Sequence, residues 1–211
     1  MGVRSPGMSE SLWPREHGAY AQLIFPILSG LLPGHPGPAA FAIAAAGIFL
    51  FLANEPAAVL LGKRGGRRRR ELEPQARQRL GWLLPAGLAA GAFGFLTMPA
   101  DGRGLVILPA IPVLILLPLI ATHREKSIPG ELVVAAAMSS LHVPIAYAGG
   151  LRHAELWGPA AFWFGLYVVA TFAVHWIRVR WARQLKKVGW TLVAVQVVAL
   201  GLLVLRPGIT R

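Results

Sequence analysis

Several ionisable or polar side chains stand where an apolar run begins or ends. Arg15, Glu16 and His17 head the first run, and Asn54 and Glu55, followed by Pro56, lie near the end of the second. Glu131 opens the fifth run and His175 lies near the end of the sixth. Carboxylates and imidazoles in such places move protons or hold a cation, while guanidinium forks such as those of Arg64 and Arg124 neutralise anions. Charge beside hydrocarbon is costly, so these residues imply pairing, a wet cavity or a functional site. Glu55 is the sharpest of them. It lies about 10 Å inside the end of its run, where a carboxylate must be protonated, paired or hydrated. Pro56 frees a backbone carbonyl one turn earlier, and a polar group beside such a break is how ligand sites are built in membrane helices. The bland alternative is a structural ion pair with Arg64 or Arg124.

The elements that position these groups are membrane spans. Of 211 residues, 55% are hydrophobic and only 14% charged, with mean hydropathy +0.56. A soluble domain needs more polar surface than that. The apolar residues fall into seven blocks, roughly 17–33, 38–62, 80–98, 104–122, 130–149, 157–178 and 187–205. Each approaches the ~20 residues that a helix needs to cross ~30 Å of hydrocarbon. The expected fold is all-α: one polytopic bundle of about seven transmembrane helices forming a single domain over 1–211. Residues 1–16 are expected to form a cytoplasmic tail without a cleavable signal peptide, and 63–79 a basic cytoplasmic loop. Cysteine is absent, which excludes disulfides and thiolate sites.

The net charge of +12 is laid out by side. With the N-terminus inside, 17 Lys and Arg residues fall in cytoplasmic segments and four (Arg103, Arg152, Arg206, Arg211) outside. That split follows the positive-inside rule and implies N-terminus in, C-terminus out. Lys63 to Arg70 carries six positive charges in eight residues. Anionic lipid headgroups at the cytoplasmic face are its expected partners, and a phosphate clamp over a cavity is the functional alternative. Nucleic acid is not expected, because no aromatics interleave the charges.

In the fifth block Glu131, Ala135, Met138 and His142 share one helical face, with Ser139 on its flank. Such a stripe either lines a cavity or leaves Ser139, Ser140 and His142 bonded to carbonyls of neighbouring helices. No His and carboxylate spacing supports a metal site, although His17 and His175 lie at similar depth, and the residues do not identify a cofactor.

The stretch Pro14-Arg15-Glu16-His17-Gly18-Ala19-Tyr20, with Pro26 following, resembles the opening of the YwiC-like bacterial membrane proteins. Asn54-Glu55-Pro56 leading into Gly62-Lys63-Arg64, and Arg124-Glu125-Lys126-Ser127 leading into Gly130-Glu131-Leu132, fit that resemblance. It implies a small multi-pass protein of the bacterial cytoplasmic membrane. A more distant likeness is to the UbiA-type intramembrane prenyltransferases, in which several carboxylates hold magnesium against a diphosphate. Asn54-Glu55 begins similarly here, but Ala58 and Gly62 occupy the next two acidic positions, which leaves Glu55, Glu125 and Glu131.

The leading expectation is therefore a cytoplasm-facing polar pocket for an anionic lipid-like or isoprenoid ligand, with group transfer as its chemistry. Arg15, Arg64 and Arg124 would meet the anion, and Glu16, His17, Glu55 and Glu131 would handle protons or a cation. A small proton-coupled carrier is the second expectation. A non-catalytic subunit or assembly factor, docking through Trp176 to Trp181, is the third.

Overall fold

The computed structural model describes Leu12 and residues 17–122, 124–180 and 185–205, apart from the side chains of 17, 177–180 and 185–188. An apolar chain in lipid must satisfy its backbone internally, and a helix does so within one segment. The described residues accordingly form α1 (His17–Leu31), α2 (Pro38–Leu60), α3 (Gly66–Thr97), a 3-10 helix (Ala100–Val106), α4 (Ile107–Ala121), α5 (Ile128–Ser140), α6 (His142–Ala148), α7 (Ala154–Arg180) and α8 (Leu185–Val204), with no strand among them. Five stretches are long and apolar enough to cross a membrane, and two shorter apolar helices, Gly18–Leu31 and Gly189–Val204, accompany them. The seven expected blocks thus appear as seven helical stretches. Ala100–Ala121 is the most apolar of the long ones and only 6% of its window is buried, as a surface facing lipid requires.

Two boundaries differ from the sequence expectation. The basic segment 63–79 is a loop only at its start: the chain turns through Gly62 and Gly65, both at positive φ (73° and 93°), and is helical from Gly66. Its arginines and glutamates are good helix formers. The ion pairs Arg67–Glu71 at 2.8 Å and Glu73–Arg77 at 2.6 Å, each one turn apart, add to the preference. The fifth block, in turn, is broken at Leu141 into α5 and α6. Pro144 lacks the N–H that would reach the Ser140 carbonyl, and its ring crowds that turn.

The most extensive helix pairing is α2 against α3, and small residues make it possible. Gly87, Gly91 and Gly94 share one face of α3. A Cβ on Gly87 would lie 3.0 Å from Leu50 Cγ, one on Gly91 3.6 Å from Ala46 Cβ, and one on Gly94 2.7 Å from Ile43 Cγ1 and 3.3 Å from the Ala39 carbonyl. The order runs backwards along α2, so the two helices are antiparallel. At one end of the bundle Lys63 Nζ donates to the Ala121 carbonyl at 2.8 Å, tying the end of α2 to the end of α4. At the other, the end of α1 meets the end of α6: His35 N donates to the Gly149 carbonyl at 2.8 Å, and a Cβ on Gly34 would come within 2.5 Å of that same oxygen. The first is called the basic end below, and the second the far end.

Substituting Gly94→Ala should lower the thermal stability of the detergent-solubilised protein, at a cost of about 1–3 kcal/mol, because backbone as well as side chain stands in the way. Gly91→Ala has ordinary contact distance and should be neutral or slightly stabilising. A thermal melt of the two variants beside the parent checks both.

Candidate functional site

Three polar clusters occupy the bundle. The first is built where α2 ends and α3 begins. Glu55 is 2% exposed on α2, and the turn at 61–65 brings Arg64 back over it. Arg64 Nε lies 3.1 Å from both carboxylate oxygens, while its Nη2 contacts Oε2, so the guanidinium grips the carboxylate in a fork. From the first turn of α3, Arg68 Nη2 approaches Oε1 at 3.6 Å. Among the described residues, two guanidinium groups thus bear on one carboxylate. Arg64 remains 31% exposed and Arg68 16%. Of the two partners the sequence offered Glu55, the structure chooses Arg64. Asn54 is exposed, on a different side of α2 from Glu55.

The second cluster joins α5 to α7. His175 Nε2 and Glu131 Oε2 are 3.2 Å apart, in ion-pair contact without the alignment of a hydrogen bond. Both side chains are about one-third exposed. Glu131 sits in the first turn of α5, whose start is capped by Ser127: its Oγ accepts from Gly130 N at 3.3 Å and donates to the Arg124 carbonyl at 2.6 Å. Gly130 is required there, since a Cβ would lie 2.5 Å from the Arg124 carbonyl and 2.6 Å from that of Glu125. Arg124 therefore serves through its backbone, and its side chain is exposed. The described ion pairs leave Glu55 and Glu131 in separate sets, one on α2 and α3, the other on α5 and α7. Helix α1 packs against α2, α5 and α7 and so lies between them. Arg15, Glu16 and the His17 side chain fall outside the described residues. Among those described, no group of three His or acidic residues could hold a metal ion.

The third cluster lies in the core toward the far end, and the sequence reading found only one of its members. His142 is fully buried. Its Nδ1 is 2.9 Å from Ser29 Oγ and its Nε2 is 3.1 Å from the Glu155 carbonyl, while Trp163 Nε1 donates to Ser29 Oγ at 2.9 Å. A second bond of the same kind ties α7 to α1, where the buried Tyr167 hydroxyl donates to the Gln22 carbonyl at 3.1 Å. Both carbonyls lie four residues before a proline, Gln22 before Pro26 and Glu155 before Pro159. Each has lost its helical N–H partner, and each receives a ring donor from another helix. That spacing was the available signal for Tyr167 and His142. Nothing local in the sequence pointed to Ser29 or Trp163. Ser139 and Ser140 bond carbonyls of their own helix, Ala135 at 2.7 Å and Ala137 at 3.1 Å, rather than those of neighbours.

Removing the hydroxyl by Tyr167→Phe leaves the Gln22 carbonyl unsatisfied in an apolar core, which should cost about 1–3 kcal/mol of stability. Trp163, stacked on Tyr167 with ring centroids 6.0 Å apart, should report the loosening through its fluorescence.

Comparison with known proteins gives one finding. Residues 13–147, more than half of the chain, match the family model described as YwiC-like protein. No curated protein and no solved structure matches the chain.

Proposed function

We propose that this chain, which belongs to the YwiC-like family of helical membrane proteins, binds an anionic lipid-like ligand, of the lipid-phosphate or isoprenoid-phosphate class, at its basic end. One observation carries this reading: Arg64 and Arg68 converge on the single buried carboxylate of Glu55. Arg64 is oriented by the carboxylate and stays 31% exposed beside apolar helices. A guanidinium fork suits phosphate oxygens, and the neighbouring apolar surface suits acyl or isoprenoid chains. Glu55 then acts as a positioning residue that orients the arginines rather than as a group that touches the ligand.

The same reading places the N-terminus and the basic end on the cytoplasmic side of a bacterial cytoplasmic membrane, supported by the distribution of Lys and Arg. Since the chain has no cysteine, single substitutions can be labelled from either side. Gly66→Cys should react with a membrane-impermeant maleimide only after the membrane is opened. His153→Cys, in the connection before α7, should react in intact cells. The opposite pattern would reverse the orientation.

For the ligand, the double variant Arg64→Ala with Arg68→Ala should bind lipids with a phosphomonoester headgroup at least tenfold more weakly, or about 1.4 kcal/mol. Native mass spectrometry of the detergent-solubilised protein, with a zwitterionic lipid as control, provides the measurement. Arg77→Ala, which alters an exposed arginine on α3, should retain binding. Equal retention by the double variant and the parent would remove the assignment.

A proton-linked carrier is a second reading, favoured by the Glu131–His175 pair on α5 and α7, both about one-third exposed. It requires proteoliposome flux that falls when Glu131 is replaced by Gln.

A further inference from the structure

The hydrogen bonds around His142 can be counted proton by proton. A backbone carbonyl only accepts and an indole N–H only donates. Nε2 faces the Glu155 carbonyl, so it carries a hydrogen in every state of the ring. Ser29 Oγ accepts from the Trp163 indole and has one proton of its own to give. Two acceptors compete for that proton: His142 Nδ1 at 2.9 Å and the Pro26 carbonyl at 3.0 Å. If the ring is neutral, Nδ1 offers a lone pair and takes the hydroxyl proton. If the ring is protonated, Nδ1–H donates to Oγ and the hydroxyl proton turns to the Pro26 carbonyl. The oxygen then accepts from both Trp163 and His142. Each nitrogen and the hydroxyl are satisfied in both states, and no heavy atom has to move.

We propose that His142 is a reversible proton-binding site within the apolar core, and that rotation of the Ser29 hydroxyl between His142 Nδ1 and the Pro26 carbonyl accommodates the added proton. A serine bonded to its own helix is routine. What differs here is that an imidazole and an indole from two other helices converge on the same oxygen, so the back-bond becomes the alternative state of a switch. A charged ring in this core must be compensated, and the charged groups at this end come from few elements. Helix α1 carries none in Gly18–Leu31, and those of α2 and α5, Glu55 and Glu131, lie at the basic end. The 3-10 helix supplies Asp101, to which the Tyr147 hydroxyl of α6 donates, and Arg103, which donates to the Leu96 carbonyl at 2.9 Å. Arg152, before α7, lies 3.9 Å over the Tyr147 ring and bonds the carbonyls of Tyr147 and Leu151. Glu155 supplies both the carbonyl at Nε2 and part of the wall of an open cavity of about 290 Å³, shared with His35 and Gly149. The site is remote from Glu55, and its proton uptake does not depend on what the arginines bind.

Histidine-selective ¹⁵N NMR of the full chain in lipid nanodiscs tests this between about pH 8 and pH 4, the range over which imidazoles titrate. The signal lost in His142→Gln identifies the ring. We expect it to be shielded from a water-soluble paramagnetic agent, to show the Nε2–H tautomer at high pH and to convert reversibly to imidazolium on acidification. An Nδ1–H tautomer, or a ring neutral throughout while the protein stays folded, would overturn the proposal. In Ser29→Ala the Nδ1–H of the charged ring has no acceptor, and the midpoint should fall by about one pH unit or more. An unchanged midpoint would refute the hydroxyl's part. If that variant does not fold, the wild-type tautomer and titration decide the matter alone.

Discussion

A carbonyl freed by a proline inside an apolar helix has no water to turn to, and the bundle is arranged around supplying it with a donor. Gln22 and Glu155 are in this position, one on α1 and one on α7. Tyr167 reaches from α7 to the first and His142 from α6 to the second. These two bonds, with the stacked Phe25, Trp163 and Tyr167 rings between them, couple α1, α6 and α7. Because an orphaned acceptor in such a core costs about 1–3 kcal/mol, the prolines specify interhelical contacts as well as local bends.

The basic end answers the same constraint with charge. Glu55 lies too deep to be hydrated and is gripped by Arg64, with Arg68 close by. The arginines reach it because Gly62 and Gly65 let the chain reverse within a few residues, after which the basic segment continues as helix rather than loop. Close approach of α3 to α2 along its glycine face holds that geometry.

Much of this was legible before any coordinates. Apart from the start of α3 at Gly66, well before the expected 80, the apolar blocks matched the helical stretches to within a few residues, since the hydrocarbon thickness sets their length. Arg64 was a named partner for Glu55, being the nearer of two arginines along the chain. The break at Leu141 and the helical start of α3 were not read, although Pro144 and the Arg–Glu spacing at 67–77 carried both signals. The shared face of Glu131 and His142 left open a common cavity or a bond from His142 to a carbonyl of a neighbouring helix, and the second is what the Glu155 carbonyl provides. The two residues belong to clusters at opposite ends, because a face extending over three turns meets different helices along its length.

The sequence by itself determined that this is a membrane-spanning helical protein, which groups are too deep to be left unpaired, and where prolines would strand a carbonyl. Only the tertiary structure decided who answers them. Ser29 and Trp163 carry no local signature, since a hydroxyl or indole on an apolar helix is equally compatible with lipid, backbone or another side chain. The choice was made by helix crossings, set by glycines that admit backbone to backbone at Gly34 and Gly94. Those crossings join the prolines and rings of α1, α6 and α7 into one hydrogen-bonded core.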